Sequence, residues 1–426
     1  MTTLQWSVPT KRALERRLWS RLWKAAGLPL MLLVASYAAW GSLSYWRVPQ
    51  AWPLIALSAL AYVVSAVVIS RLSRFPKVED LGVTALTVGL AFIFVIALIA
   101  LGRLYYSRLF LLTALAFAEL WLLAGSYAFS RSRTVSLGIV PGGMAGDLAS
   151  IDAVSWAWLI APEEAVRRIG DLDGVVVDLH QKLSPEWVRF LANCSLQGVP
   201  VYHAAVVFES LTGRVSLRHI SEGAEEVFRT PSFYPFVKRW LDILTVVLSA
   251  PLVVPLVLVT AVIVKIGSPG PAFFFQERVG QGGKVFRIVK LRTMRVDAES
   301  NGAEFARTDD DRIIPAGKWL RKFRLDELPQ FWNVLKGEMS LIGPRPEQVP
   351  FVKKFVQEIP YYNYRHLVKP GITGWAQVMQ GYAAGKEETR EKLEYDLYYV
   401  KHLTVWLDLL IAYKTIKTIL TGFGAR

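Results

Sequence analysis

Two adjacent carboxylates lie among cations in the last third of the chain. Residues 321–330 read RKFRLDELPQ, so Asp326 and Glu327 closely follow three basic residues. A helix is predicted to start here and to end at Lys336–Gly337, with Asp326 near the N-cap and Glu327 in the first turn. Acidic residues at these positions are also ordinary capping residues. Among cations, however, the pair can hold Mg²⁺ with a diphosphate lying across the metal, and an aspartate can itself attack phosphorus.

Three further cations are candidates for binding phosphate. Arg345 stands in Gly343-Pro344-Arg345-Pro346, where two prolines stiffen the loop around a planar guanidinium that matches phosphate geometry. Lys290 and Arg292 lie in a predicted strand, Lys284–Met294, where alternation puts both on one face. They could hold one anion together or form a solvated strand face, and the strand pattern leaves both readings open.

Composition places this chemistry at a membrane. The chain has 426 residues, is 53% hydrophobic and carries a formal net charge of +14, which suits a membrane protein with large cytoplasmic parts. Nucleic-acid binding fits poorly, because the basic residues lie along apolar segments and among turns and form no dense block. The single cysteine, Cys194, excludes an intrachain disulfide and a cysteine-based metal site. The residues alone therefore predict Mg²⁺-dependent phosphate chemistry at a membrane.

Four apolar stretches are each about long enough to span a bilayer as a helix. They cover residues 28–46, 52–70, 81–102 and 109–129. Cations cluster before the first stretch, between the second and third (Arg74 and Lys77 among them), and after the fourth, at Arg131 and Arg133. The positive-inside rule then places both ends of this bundle in the cytoplasm. Glu119 is the one acid inside a predicted span, and a hydrogen bond between helices is its expected role.

A fifth apolar run, Leu241–Val264, could be another crossing, but two features oppose this. Pro251 and Pro255 sit within the run, where proline removes a backbone hydrogen bond and bends a helix. Cations flank both of its ends, which favours keeping both ends on one side. We therefore expect a re-entrant helix that enters and leaves the same leaflet.

Residues 134–232 alternate short apolar strands with helical patterns. The strands are predicted at Val135–Val140, Trp156–Ile160, Val175–Leu179 and Val199–Tyr202, and a helix at Pro185–Leu196. This rhythm predicts a small Rossmann-like α/β unit. Its first turn, residues 141–146, reads PGGMAG and has proline where a dinucleotide fingerprint needs glycine. A degenerate regulatory or packing module is favoured over nucleotide binding.

From Lys238 to Arg426 the ordered motifs resemble those of the polyprenyl-phosphate hexose-1-phosphate transferases, the large monotopic phosphoglycosyl transferases of bacteria. The motifs are RWLD at 239–242, SPGP at 268–271, QERVG at 276–280, KLRTM at 290–294, LDELPQ at 325–330, GEMS at 337–340, GPRP at 343–346, KPGITGWAQ at 369–377 and EYDLYY at 394–399. Any one could arise by chance, but the full ordered set is specific. The preceding part of the chain is similar to the non-catalytic portion of the long-form members.

The resemblance implies a transfer in two steps through an enzyme-bound phosphosugar. Asp326 matches the family's nucleophile, and Glu327 matches its partner carboxylate, acting on Mg²⁺ or as an acid/base. Asp396 is a weaker candidate for the metal region, and Pro255 matches the family's helix-breaking proline. The residues that fall at positions assigned to phosphates are Lys290, Arg292, Arg321, Arg345 and Arg278.

The implied substrates are a UDP-sugar, with UDP-glucose or UDP-galactose favoured, and polyprenyl (undecaprenyl) phosphate in the lipid of the bacterial inner membrane, with the catalytic domain facing the cytoplasm. A homodimer is left open. Departures from the family pattern are Val254 before the proline, Glu338 in place of a frequent aspartate, and residues 379–381, near which sugar selection is expected. A rival reading is a non-catalytic scaffold or transport component of a glycan assembly system.

The fold class expected is a membrane protein of mixed α and α/β structure. Residues 1–133 are predicted to form a four-helix transmembrane bundle, 134–232 a degenerate Rossmann-like α/β domain, and 233–426 a re-entrant helix with a mainly helical catalytic domain.

Overall fold

A computed structural model of the chain describes residues 11–44, 47–73, 75, 80–130, 136–152, 154–168, 170, 172–220, 228, 233–296, 298, 310–381 and 385–421. The chain divides into two compact units, residues 1–213 and 214–426. The predicted flanking cations Arg74, Lys77, Arg131 and Arg133 lie outside the described residues.

The first unit begins with four long apolar helices. They are α1 (Lys11–Trp40), α2 (Trp52–Leu72), α3 (Asp80–Gly102) and α4 (Arg108–Ser130). Their apolar side chains share one core that includes Met31, Leu54, Phe92 and Phe110. Each has the length and composition to cross a membrane. The first predicted span extends too far, because α1 ends at Trp40, where Gly41 follows with a left-handed backbone (φ 63°).

A small parallel sheet follows, as the alternating pattern predicts. Its strands are β1 (Ser136–Ile139), β2 (Ser155–Trp158), β3 (Gly174–Val177) and β4 (Val201–His203), in the order β2-β1-β3-β4. The helices of this part are α5 (Ala145–Ala149), α6 (Pro162–Arg168), α7 (Pro185–Leu196) and α8 (Ala204–Thr212). The predicted bounds of α7 are confirmed, because Ser184 caps it by accepting a hydrogen bond from the Trp187 amide and Pro185 occupies its first position.

The second unit contains the motifs of the C-terminal half. Its helices are α9 (Tyr234–Gly267), α10 (Pro315–Lys322), α11 (Phe331–Lys336), α12 (Val349–Glu358), α13 (Trp375–Met379), α14 (Lys386–Lys401) and α15 (Val405–Thr421). An antiparallel hairpin joins β5 (Phe273–Val279) to β6 (Val285–Leu291), and a parallel pair joins β7 (Ser340–Ile342) to β8 (Gly371–Thr373). The described part of the chain is therefore mainly helical, with several apolar helices compatible with a membrane protein.

Helix α9 contains the fifth apolar run, with Pro251 and Pro255 inside it. It is a single helix long and apolar enough to cross a membrane, so its path through the bilayer stays a prediction. Side chains at its start tie it to the rest of the unit. Arg239 donates to the carbonyls of Val334 and Leu335 at the end of α11, and Asp242 accepts from the Ser340 hydroxyl at 2.7 Å.

Candidate functional site

The two adjacent carboxylates lie in a tight helical turn. Leu325–Gln330 forms a 3₁₀ helix, and Asp326 and Glu327 occupy its first turn with only 8% and 5% of their surface exposed. Arg324 precedes the turn in the left-handed region (φ 54°), which is uncommon for a residue with a side chain and concentrates at functional sites. Arg324 is therefore the N-cap position, and the predicted helix starts as 3₁₀ before continuing as α11.

Three cations surround Glu327. Oε1 accepts a hydrogen bond from Nη2 of Arg345 at 2.6 Å and lies 3.8 Å from Nζ of Lys290, and Oε2 lies 3.5 Å from Nη1 of Arg324. Burial alone would raise the pKa of Glu327, but Arg345, Lys290 and Arg324 outweigh burial and hold the pKa well below its usual range. Glu327 is therefore a fixed negative charge.

Asp326 has a different environment from its neighbour. No salt bridge or side-chain hydrogen bond joins its carboxylate to another described residue. Burial and the negative charge of Glu327 raise the pKa of Asp326 to about 6, although Lys290, Arg321 and Arg345 act in the opposite direction. Arg321 is held in place by a hydrogen bond from its Nε to Oγ1 of Thr293 at 2.9 Å.

The pKa of Lys290 also departs from its usual value. Burial and Arg345 lower the pKa of Lys290 to about 8, although Glu327 favours its charged form. The site thus combines one carboxylate held ionised, one carboxylate that ionises near neutral pH and one lysine that loses its charge slightly above neutral pH.

The loop that carries Arg345 is fixed through its backbone. Three successive carbonyls accept hydrogen bonds from outside the loop: Pro344 from the Gly371 amide at 2.9 Å, Arg345 from Nη2 of Arg365 at 2.9 Å, and Pro346 from Nη1 of Arg278 at 3.1 Å. The guanidinium of Arg345 is consequently aimed at Glu327 by the loop as well as by the ion pair.

Close backbone approach at Gly343 supports this loop. A Cβ on Gly343 would lie 2.4 Å from the Lys369 carbonyl oxygen, so a larger residue would push β7 away from β8. The Gly343 amide instead donates to the Thr373 carbonyl at 2.8 Å. The GPRP and KPGIT motifs therefore pack together as one unit, hydrogen-bonded where β7 pairs with β8.

Two predicted site residues, Arg292 and Arg278, donate hydrogen bonds to groups other than the carboxylate pair. Arg292 follows β6, and its Nη1 and Nη2 donate to the carbonyls of Pro269 and Ser268 at 2.5 and 2.9 Å. Arg278 donates to Gln276 as well as to the Pro346 carbonyl. Arg292 is thus held by backbone carbonyls, whereas Lys290 pairs with Glu327, and the shared anion site stays a prediction.

Asp396, the weaker metal candidate, is bound by a cation. Nε and Nη2 of Arg365 donate to its Oδ2 at 3.0 and 2.7 Å, and both side chains are 2% exposed. Among the described residues, no group of three potential metal ligands includes Asp396, Asp326 or Glu327. Arg365 thus connects Asp396 to the carbonyl of Arg345.

Sequence reasoning missed the residues that hold these candidates in position. Arg365 joins Asp396, the hydroxyl of Tyr362 and the Arg345 carbonyl. Asn333 accepts from the Val289 amide at 3.1 Å and donates to the Arg287 carbonyl at 2.8 Å, which fixes β6 against α11. Apart from Tyr362, the partners named here are distant in sequence, so no local pattern pointed to these roles.

The donor set suits a hard cation. Oε2 of Glu327 is buried without a hydrogen bond to a described residue, and Asp326 adds a second carboxylate at the preceding position of the turn. Mg²⁺ prefers oxygen ligands and is commonly bound through one or two carboxylates together with substrate phosphates. The residues present therefore fit Mg²⁺ together with a phosphorylated substrate.

Known proteins resemble this chain well beyond single motifs. Residues 233–422 match the family model described as bacterial sugar transferase. A UDP-N-acetylgalactosamine-undecaprenyl-phosphate N-acetylgalactosaminephosphotransferase from Aeromonas hydrophila is 45% identical over 368 residues, 86% of each chain.

Two further relatives each match less than half of this chain. A UDP-glucose:undecaprenyl-phosphate glucose-1-phosphate transferase from Caulobacter vibrioides is 40% identical over 190 residues, 44% of this chain and 71% of its own. A protein of the same name from Escherichia coli (strain K12) is 41% identical over 182 residues, 42% of this chain and 39% of its own. The similarity to the Aeromonas protein along most of both chains shows that this chain belongs to the bacterial sugar transferases, the family of polyprenyl-phosphate sugar-1-phosphate transferases.

Proposed function

We propose that this chain transfers a hexose-1-phosphate from a UDP-sugar to undecaprenyl phosphate and releases UMP. The observation that carries the proposal is the buried Asp326–Glu327 pair, in which cations hold Glu327 ionised while Asp326 lacks a salt bridge within the described residues. This pair lies inside the segment that matches the family.

In the proposed first step, a carboxylate oxygen of Asp326 attacks the β-phosphorus of the UDP-sugar. The bond from that phosphorus to the bridging oxygen breaks, and UMP leaves with the electron pair. In the second step, an oxygen of the lipid phosphate attacks the same phosphorus, the aspartyl–phosphorus bond breaks, and a polyprenyl-diphosphate sugar forms. Asp326 is then free for another cycle.

The cations have separate roles in this proposal. Arg345 and Lys290 bind phosphate oxygens while they keep Glu327 ionised, and Arg321 supports the charge of Asp326. Glu327 and Asp326 would hold Mg²⁺, which when bound would neutralise developing charge on the diphosphate. We give Arg278, Arg292 and Asp396 positioning roles, because their charged groups are engaged by the loops and side chains described above.

The finer membrane architecture belongs to the same proposal. Residues 1–133 form a four-span bundle in the inner membrane, 134–232 a Rossmann-like domain, and 233–426 the cytoplasmic catalytic domain with α9 as a re-entrant helix. The apolar helices and the parallel sheet order support this arrangement. Residues 214–220 lie in the second compact unit, so the boundary near residue 232 stays a prediction.

For the donor we propose UDP-N-acetylgalactosamine first, ahead of the glucose and galactose donors expected from the sequence. The relative named for N-acetylgalactosamine matches 86% of this chain, whereas the two glucose relatives match less than half of it.

The test uses purified full-length chain with a panel of the three UDP-sugars, Mg²⁺ and undecaprenyl phosphate. We expect UMP release with one donor, and we expect Asp326→Asn to lower it by more than about a thousandfold, because an amide is a poor nucleophile toward phosphorus. The exposed Asp311→Asn is the matched control and should be active.

Omitting undecaprenyl phosphate from the assay isolates the first step, the transfer of the sugar-phosphate to the enzyme. Wild-type chain should retain label from a donor labelled in its β-phosphate, and Asp326→Asn should not. Normal turnover by Asp326→Asn would refute the nucleophile assignment, and absence of UMP release from every donor would favour the scaffold reading.

A further inference from the structure

A second cluster of chemically capable side chains lies in the small parallel sheet, far along the chain from Asp326. Asp178 and His180 follow the end of β3, and His203 ends β4. Because adjacent parallel strands end at the same edge, these three residues meet at the carboxyl edge of the sheet, where doubly wound folds bind ligands. No step of the proposed transfer uses them.

The three side chains face one another closely. Nε2 of His203 lies 3.0 Å from Nδ1 of His180, and Nδ1 of His180 lies 3.5 Å from Oδ1 of Asp178. One ligand atom from each residue lies within 4.8 Å of the other two. For comparison, two nitrogens on one tetrahedral Zn²⁺, at bond lengths of about 2.0–2.1 Å, are separated by about 3.3 Å.

The carboxylate of Asp178 is buried and already oriented. Its Oδ2 accepts from the Met144 amide at 3.1 Å and its Oδ1 from the His180 amide at 3.0 Å. Nearly half of the His180 side chain is exposed (47%), which leaves an open side for water or another ligand. The cluster is thus rigid on the carboxylate side and accessible on the histidine side.

The neighbouring glycine turn indicates the charge of the ligand. Gly143 has a left-handed backbone (φ 52°), and a Cβ there would lie 2.0 Å from Oδ2 of Asp178. The carboxylate therefore covers the turn at the place where a dinucleotide fold would bring in a phosphate. A negative group at this position disfavours an anion and favours a cation.

We propose that Asp178, His180 and His203 bind a divalent transition-metal cation, with Zn²⁺ as the best-fitting ion. Two imidazoles and one carboxylate are a ligand set that suits Zn²⁺, whereas Mg²⁺ prefers oxygen ligands alone. Water would complete a tetrahedral site.

Binding has a defined consequence for His203. Its Nδ1 accepts from the Ala205 amide at 3.0 Å, so the neutral ring carries its proton on Nε2 and donates it to His180. A cation at Nε2 takes the place of that proton, which moves to Nδ1, so that Nδ1 can no longer accept the hydrogen bond from the Ala205 amide. The metal therefore competes with the start of α8.

The experiment measures Zn²⁺ bound to the purified, tag-free full chain after chelation and dialysis, with excess Mg²⁺ present to occupy oxygen-ligand sites. We expect one Zn²⁺ per chain. His180→Ala and His203→Asn should each weaken binding by at least about tenfold, since even residues that only orient a metal ligand contribute 10–100-fold. Asparagine keeps a capping oxygen for α8, so His203→Asn preserves folding. Lys182→Ala, an exposed neighbour without a ligand atom of this kind, is the control.

Each outcome is decisive. Loss of Zn²⁺ in both histidine variants, with unchanged thermal unfolding in chelator and normal binding by Lys182→Ala, supports the site. Equal Zn²⁺ binding by wild type and the two histidine variants, or no binding by wild type, overturns it. UMP release by His180→Ala is measured separately, because the metal site stands or falls independently of the proposed transferase reaction.

Discussion

Asp326 and Glu327 show how two neighbouring carboxylates acquire opposite properties. Both are buried, and burial disfavours the charge of each. Glu327 contacts Arg345, Lys290 and Arg324, so its negative charge is matched, while Asp326 experiences that negative charge as repulsion. Environments that push two pKa values apart are a common way to divide catalytic roles. This division is consistent with the proposed role of Asp326 as the nucleophile.

The pKa shifts predict a bell-shaped pH dependence of kcat/KM for the UDP-sugar. Activity should fall below pH about 6, where Asp326 becomes protonated, and above pH about 8, where Lys290 loses its charge. UMP release measured across this range with saturating lipid checks both limbs.

Lys290→Arg is the variant that separates the two limbs. An arginine stays charged over the whole range, so the alkaline limb should move upward while the acid limb remains near pH about 6. An unchanged alkaline limb in this variant would show that Lys290 is not its source.

Arg365 is predicted to act through Arg345 without touching substrate. Arg365→Lys keeps the charge but cannot make all four contacts to Asp396, Tyr362 and the Arg345 carbonyl. We expect a loss of about 2–3 kcal/mol in stability from the charged hydrogen bonds and a KM for UDP-sugar raised by about tenfold, because the Arg345 loop is less well positioned. Arg390→Lys in α14, where the side chain is 39% exposed and lies 4.0 Å from Glu387, is the control, and an unchanged KM for Arg365→Lys would contradict the positioning role.

At the scale of elements, local sequence patterns predicted the helices and strands correctly where contacts between residues close in sequence determine the structure. Helix α7 and the four parallel strands follow from caps, prolines and apolar runs. Arg292 shows the limit of this approach: alternation placed it beside Lys290, but β6 ends at Leu291, and the guanidinium of Arg292 binds the turn after α9. Which partner satisfies a buried cation depends on tertiary contacts that a single sequence does not display.

Helix α9 gives the sharpest prediction about an element. If it is re-entrant, Lys238 and Lys265 both lie on the cytoplasmic side, and a cysteine at Gly267 will not react with an impermeant thiol reagent added to intact cells. The buried native cysteine is removed with Cys194→Ser. Pro255→Leu, which restores a helical hydrogen-bond donor, should favour a spanning path and lower activity.

The matched control for this experiment is a cysteine at Ser42, an exposed position after α1 that the predicted topology places outside. It should react in the same cells. Reaction at both positions would mean that α9 crosses the membrane fully and that the topology is wrong.

At the scale of the whole molecule, the members of the candidate site could be named from the sequence, but the residues that hold them in position could not. Asp326, Glu327, Lys290 and Arg345 were singled out by residue type and motif, and they meet in the structure. The three hydrogen bonds that hold the Arg345 loop come from Arg278, Arg365 and Gly371; Arg278 was assigned to phosphate, Gly371 appeared only within a motif, and Arg365 was not considered. Likewise, His180 and His203 carried no recognisable spacing, because the pairing of β3 with β4 is what brings them together.

The last prediction concerns what the first four helices contribute. Every contact described for the candidate transferase site is made by residues of the second unit, which has its own buried clusters around Val246 and Val264. A domain with its own core keeps its geometry when distant segments are removed, so deleting residues 1–130 should leave at least about a tenth of the UMP-release rate in detergent. Asp326→Asn in the same truncated chain provides the zero-activity control, and thermal unfolding verifies that the remaining domain is folded. Complete loss of UMP release from a folded truncated chain would show instead that the four apolar helices supply part of the site.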